Sequence, residues 1–244
     1  MIPLLIAVQF LTSLPVRLPG MPSPQELGRS LLWYPLVGLL IGVLLYGLDA
    51  LLSGTPLLLH AALLLAAWVA LSGALHLDGL ADSADAWLGG FGDRERTLTI
   101  MKDPRSGPIA VVTLVIVLLL KFAALVALIE QQHASVLLLA PWLARGLLPL
   151  LFMTTPYVRA GGLGQALAEH LPREYLPLVL GLHAVAMLLF GWAAVVLMVV
   201  GLVVFAWLRQ RMIARLGGTT GDTAGAMVEL VECGVVVVLS SGTF

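Results

Sequence analysis

Three aspartates, Asp78, Asp82 and Asp85, stand in the run His76-Leu77-Asp78-Gly79-Leu80-Ala81-Asp82-Ser83-Ala84-Asp85. At about 100° per residue, the spacing i, i+4, i+7 places all three carboxylates within roughly 60° of one another on a helix. Three like charges on one face repel each other, and a divalent cation removes that repulsion. Ligation by oxygen alone, with no cysteine partner, suits Mg²⁺ or Mn²⁺ rather than structural zinc. The competing reading is a solvated acidic loop or charge at a helix N-terminus. It weakens because matching acids recur near the far end of the chain.

There, Gly217-Gly218-Thr219-Thr220-Gly221-Asp222-Thr223-Ala224-Gly225-Ala226 leads into an apolar segment that carries Glu229 and Glu232. Backbone N–H groups at such a helix start can hold phosphate. Asp222 and Glu229 share a face at i, i+7, and Glu232 lies one turn beyond. An ionisable residue inside an apolar span is a functional candidate because its burial is costly. For Glu232, hydrogen bonding between helices competes with that reading. Between the acidic runs lie Arg94-Glu95-Arg96 and Ile100-Met101-Lys102-Asp103-Pro104-Arg105-Ser106-Gly107. Cations beside carboxylates match an anionic phosphate with a bridging metal. Contact with lipid head groups explains Arg94 and Arg96 equally well.

Other groups are less specific. The glycines of Tyr157-Val158-Arg159-Ala160-Gly161-Gly162-Leu163-Gly164 could serve only to turn a loop. Lys121 and Arg145 lie inside apolar stretches, where they either pair with Glu229 or Glu232 or face a phosphate from the membrane side. His76 is well placed beside Asp78, or it merely caps the preceding apolar run. His60, His133 and His183 are scattered among apolar segments and read as structural.

The elements that position these groups follow from composition. Of 244 residues, 60% are hydrophobic and 11% charged, against about 45–50% and about 25% in a soluble domain. An ordinary soluble enzyme and a disordered chain are excluded. The net charge of −1 offers no polycationic face for nucleic acid. The single cysteine, Cys233, cannot form an intrachain disulfide. The expectation is an all-α polytopic membrane helix bundle forming one domain over residues 1–244. Apolar runs place spans at Leu31–Leu52, Pro56–Leu75, Ile109–Ile129, Ser135–Met153 and about Ala224–Ser241. Tyr175–Leu208 would make a helix of about 51 Å against a hydrocarbon core of about 30 Å, so two helices turning near Gly191 are expected. That makes seven crossings. Met1–Leu14 is too short to span and lacks a basic leader, so a signal peptide is not expected. It reads as an interfacial or re-entrant segment, with a core-packing helix as the competing reading.

With the N-terminus and the motif loops on one side, 11 of the 13 basic residues fall on that side; Lys121 and Arg145 lie within spans. The positive-inside rule makes that side the cytoplasm.

The polar blocks resemble the cobalamin synthase family, the adenosylcobinamide-GDP ribazoletransferases. The likeness rests on His76-Leu77-Asp78-Gly79-Leu80-Ala81-Asp82 with Asp85, on Ile100-Met101-Lys102-Asp103, and on Gly218-x-Thr220-Gly221-Asp222-Thr223-x-Gly225-Ala226 with Glu229 and Glu232. Phe10-Leu11-Thr12 with Leu14-Pro15-Val16, Arg145-Gly146, and Tyr157-x-Arg159 with Gly162-Leu163-Gly164 also fit. Two departures stand out. Ala86 replaces a usual glycine after the third aspartate, and Pro108-Ile109-Ala110 follows Gly107 where a further glycine is usual.

The resemblance implies a Mg²⁺-dependent reaction of adenosylcobinamide-GDP with α-ribazole, or α-ribazole 5′-phosphate. The products are adenosylcobalamin, or its 5′-phosphate, and GMP. On that reading Asp78, Asp82, Asp85 and Asp222, with Glu229, are metal ligands. Asp82 and Asp222, with Lys102 and Arg105 near the phosphate oxygens, form the catalytic group. Substrate contacts fall to His76, Arg145, Arg159, Gly218, Thr220 and Gly221. A carboxylate free of metal acts as general base, and the sequence does not choose among them. Membrane lipid and other corrinoid-pathway enzymes are the further partners expected. Two alternatives compete: a CDP-alcohol phosphatidyltransferase-like lipid enzyme, disfavoured because no Ala-Arg follows Asp78-Gly79, and a cation transporter using Glu229, Glu232, Lys121 and Arg145.

Overall fold

Proline or glycine marks an end of most of the helices, whereas Pro141 and Pro149 lie inside the helix Ser135–Thr154. The computed structural model describes residues 1–242. Its helices are α1 (Ile2–Leu11), α2 (Pro24–Ser30), α3 (Tyr34–Leu51), α4 (Leu57–Leu71), α5 (Leu75–Gly89), α6 (Arg94–Ile100), α7 (Pro108–Glu130), α8 (Ser135–Thr154), α9 (Leu163–Glu169), α10 (Leu176–Leu188), α11 (Trp192–Leu216) and α12 (Gly221–Ser240). Pro24 and Pro108 open α2 and α7, where the missing N–H has no intrahelical partner to lose. The Ser23 side chain caps α2 in a reciprocal box with Glu26. Gly217, at φ +75°, ends α11 in the left-handed conformation that glycine adopts without strain.

The centre of the bundle is α8. Most of its length is buried, including Leu139, Ala140, Ala144 and Leu151. Helix α3 packs on it through Gly38 and Gly42. A methyl group at Gly38 would stand 2.5 Å from the Pro141 carbonyl oxygen, so only glycine lets the two backbones come this close. Around this pair α4, α7, α11 and α12 complete an all-α core. Ala7 and Leu11 of α1 join it at one edge.

Among the described residues, five helical stretches are long and apolar enough to cross a membrane: Pro24–Leu51, Pro108–Glu130, Ser135–Thr154, Trp192–Leu216 and Gly221–Ser240. A sixth is added if the bent pair Leu57–Leu71 and Leu75–Gly89 counts as one span. The apolar run beginning at Pro56 behaves differently. Its helix stops at Leu71, and α5 departs at 86° from α4. Gly73 and Ala74 make the corner at φ +59° and +56°. The 15 residues of α4 rise only about 22 Å. Helix α4 alone is thus short of a full crossing, and α5, with its aspartates, turns away from its axis. The long stretch after Tyr175 does break at Gly191 (φ +75°). Its first half, α10, has 13 residues and rises about 20 Å.

Candidate active site at the α5–α12 junction

The two acidic blocks meet because small residues let α5 and α12 touch. Gly79 lies against the backbone of Asp222, and a methyl group at Gly225 would stand 3.3 Å from the His76 Cα. This contact brings Asp78 and Asp222 to one cleft of about 510 Å³. A second tie fixes the loop after α8. The Thr219 N–H donates to the Pro156 carbonyl at 2.8 Å, and the Val158 N–H donates to the Thr219 carbonyl at 2.9 Å. Gly218 lies hard against Pro156, with no room for a side chain. The loop thereby delivers Arg159, whose Nη1 donates to Asp222 Oδ2 at 2.6 Å.

The polar wall of the cleft comprises His76, Asp78, Lys102, Arg159, Gly221 and Asp222. Asp82 lies one turn along α5 from Asp78, outside that lining. Its carboxyl is raised to about 6 by burial first, then by the charges of Asp78 and Asp222. Much of the remaining lining is apolar or aromatic. The Phe10 and Tyr34 rings stack with centroids 6.4 Å apart and planes 22° apart. Phe152 and Tyr157 form a second stacked pair at 6.0 Å. The cleft thus offers carboxylates and cations together with flat apolar surface. That suits a ligand combining a phosphate group with planar rings.

Some expected site residues have other partners. Asp85 accepts hydrogen bonds from the Gly107 and Ala110 N–H groups, at 2.5 and 2.9 Å. It caps the amide-rich start of α7. Thr220 is fully buried; its hydroxyl accepts from the Thr223 N–H and donates to Met101 Sδ. Thr220 and Gly218 shape the turn, and of the three expected phosphate contacts only Gly221 lines the cleft. Arg105 is 87% exposed and paired with Asp103, away from the lining, whereas Lys102 faces the cleft.

Glu229 sits deeper, in a buried set drawn from four helices. Lys121 Nζ on α7 bonds Glu229 at 2.8 Å and Glu232 at 2.6 Å. Arg145 on α8 pairs with Glu232 through Nη1. The Trp68 indole N–H donates to Glu232 at 3.2 Å, and the Trp68 ring lies 4.6 Å from the ammonium. Of the two readings open for Lys121 and Arg145, the structure shows pairing with the glutamates. Arg145 also touches the cleft indirectly, with Nη2 3.4 Å from His76 Nδ1. A guanidinium has no acceptor, so His76 Nδ1 accepts there.

Trp68, Tyr34 and Phe152 carried no separable signal in a sequence this apolar, and Phe10 stood out only as part of the block Phe10-Leu11-Thr12. Among the described residues, no three His, Cys, Asp or Glu side chains converge as a ready-made cation cage.

The profile of the cobalamin-5-phosphate synthase family matches residues 3–240. Among similar curated proteins, an adenosylcobinamide-GDP ribazoletransferase of Pseudomonas fluorescens is 69% identical over 241 residues, covering 98% of this chain and 99% of the relative. A second, from another strain of that species, is 71% identical over 238 residues, 97% of this chain and 98% of the relative. One from Pseudomonas aeruginosa is 68% identical over 237 residues, 97% of each chain. No solved structure matches. With the family profile and relatives of this identity both running almost end to end, the chain belongs to the cobalamin-5-phosphate synthase family.

Proposed function

We propose that this protein joins adenosylcobinamide-GDP to α-ribazole or α-ribazole 5′-phosphate, releasing GMP. The observation that carries the reading is the meeting of Asp78 and Asp222 with Lys102 and Arg159 on one cleft. In the reaction, a ribazole hydroxyl oxygen bonds to the phosphorus attached to cobinamide. The bond from that phosphorus to the bridging oxygen of the diphosphate breaks, and GMP leaves with that oxygen. The hydroxyl proton passes to a carboxylate of the same cluster.

The residues fit Mg²⁺ in kind. This ion is usually held by one or two carboxylates together with substrate phosphates and water, so a cleft showing two carboxylates and no closed cage is suitable. Asp78 and Asp222 are the proposed ligands, backed by Asp82; Asp85 and Glu229 are engaged elsewhere. Bound there, the ion would neutralise charge growing on phosphoryl oxygens. Lys102 and Arg159 draw the diphosphate to the polar wall. The stacked rings receive a planar base and exclude water from the reacting end.

The alternatives find no support in the comparisons. The groups a transporter would need are closed on one another as buried ion pairs. We further propose a cytoplasmic-membrane protein with its N-terminus, cleft and arginine-rich loops on the cytoplasmic side. The basic asymmetry of the loops supports this.

The test is direct: purified protein in lipid nanodiscs, adenosylcobinamide-GDP, α-ribazole and Mg²⁺, with GMP and cobalamin quantified chromatographically. Stoichiometric GMP and cobalamin that vanish with chelator or in Asp222→Asn support the reading. GMP release without cobalamin, or full turnover in chelator, overturns it.

A further inference from the structure

The face of α5 opposite its aspartates borders a second cavity, of about 450 Å³. Leu80, Ala84 and Trp87 of α5 form one side; Trp207 and Met212 of α11 and Leu230 of α12 form the other. The remaining lining side chains are apolar or small hydroxyl residues, with one charge, Arg211. An apolar cavity of this kind gives water few partners, and its neighbourhood supplies hydrocarbon. Trp207 is 53% exposed and lies near the arginine-rich end of α11, a helix long enough to span. Tryptophan at that level marks a membrane–water interface.

Arg211 is the telling residue. Its neighbours on α11 are committed. Arg209 donates to the Thr154 carbonyl and to Thr155, and Arg215 donates to Thr97 and the Trp87 carbonyl. Arg211 is exposed, has no carboxylate partner among the described residues, and lies 5.7 Å from the Trp207 ring. A free guanidinium at the mouth of an apolar cavity matches a ligand with one phosphate and a hydrocarbon tail. We propose that this cavity seats one acyl chain of an anionic glycerophospholipid whose phosphate pairs with Arg211. Helix α5 then lies between two ligands, with substrate on its aspartate face and lipid on its Leu80–Trp87 face.

The test uses full-length protein in dodecyl maltoside micelles mixed with phosphatidylglycerol, with phosphatidylcholine, or with inorganic phosphate. Affinity is read by native mass spectrometry and thermal unfolding. A single arginine near an anionic head group should favour phosphatidylglycerol over phosphatidylcholine by about five-fold. Arg211→Gln, at an exposed position whose contact here is the solvent-facing Trp207 ring, should fold normally and lose that preference. Ala84→Phe should lower binding of both lipids. Should that variant fail to fold, quenching of tryptophan fluorescence by bromine-labelled acyl chains, reduced in Trp207→Phe, reads the tail position instead. An unchanged preference in Arg211→Gln overturns the proposal. So does quenching unchanged in Trp207→Phe, or inorganic phosphate reproducing the lipid's thermal shift.

Discussion

Gly79 of α5 lies so close to α12 that a methyl group on it would stand 2.7 Å from the Asp222 carbonyl oxygen. The obstacle is backbone rather than a flexible side chain, so it cannot swing aside. Gly79→Ala must push the helices apart and separate Asp78 from Asp222. Overpacking of this kind costs about 1–3 kcal/mol, and a displacement near 1 Å can cost about a hundred-fold in rate. The expected result is folded protein with a modestly lower melting temperature and activity reduced at least about ten-fold. Wild-type activity in that variant would show that the close contact does not position the site.

Mg²⁺ binding should depend on pH through the acidic cluster. Asp82 holds its proton up to about 6, and a cation must displace it. Above that pH the carboxylate is charged and favours the ion; below it the proton competes. Calorimetry at pH 5.5 and 7.5 should show weaker binding at the lower value. Asp82→Asn should bind more weakly at both and lose most activity at ordinary Mg²⁺.

The buried ion set predicts a compensating pair. Arg145 and Glu232 are both fully buried. Arg145→Met leaves Glu232 with a charge deficit, at a cost of about 3–5 kcal/mol. The double variant Arg145→Met with Glu232→Met removes one charge of each sign and keeps Lys121 with Glu229. Its stability should recover most of the loss, measured as resistance to thermal unfolding in detergent. A double variant as weak as the single one would mean that shape, not charge, governs this contact.

Topology can be read by thiol labelling, because the native Cys233 is buried. Ser53→Cys, in the turn between α3 and α4, should react with an impermeant reagent added outside the cell. Ser106→Cys, beside the cleft loops, should react only in inverted vesicles. Labelling of both from one side would refute the proposed orientation.

The aspartates' spacing made α5 legible because a 3.6-residue period survives in any surroundings. Asp85 escaped that logic. The amides it caps lie 22 and 25 residues on, and no local spacing signals a partner at that distance. Lys121 and Arg145 were visible as misfits in apolar segments, yet only the packing of α7 and α8 on α12 decides between pairing and ligand contact. Counting apolar residues overlooked the corner at Gly73 and Ala74, because hydropathy records what a residue prefers and not where the backbone turns. The aromatic surface was only half visible: Phe10 and Tyr157 fall in blocks that carry the resemblance, whereas Phe152 looks like any other apolar residue in this chain.

The buried ion set has a consequence for how the chain enters its membrane. Lys121 and Arg145 belong to the seventh and eighth helices, and the carboxylates that neutralise them arrive only with the twelfth. A lone Lys or Arg at a helix centre carries an insertion penalty of about 2.5–3.5 kcal/mol. During synthesis, these two helices must wait beside the insertion machinery, or with their cations shielded by water, until the last segment emerges. The C-terminal helix is thus a latch in time as well as in space. A ribosome that stops before residue 229 leaves two orphan cations in hydrocarbon, a state open to quality-control proteolysis.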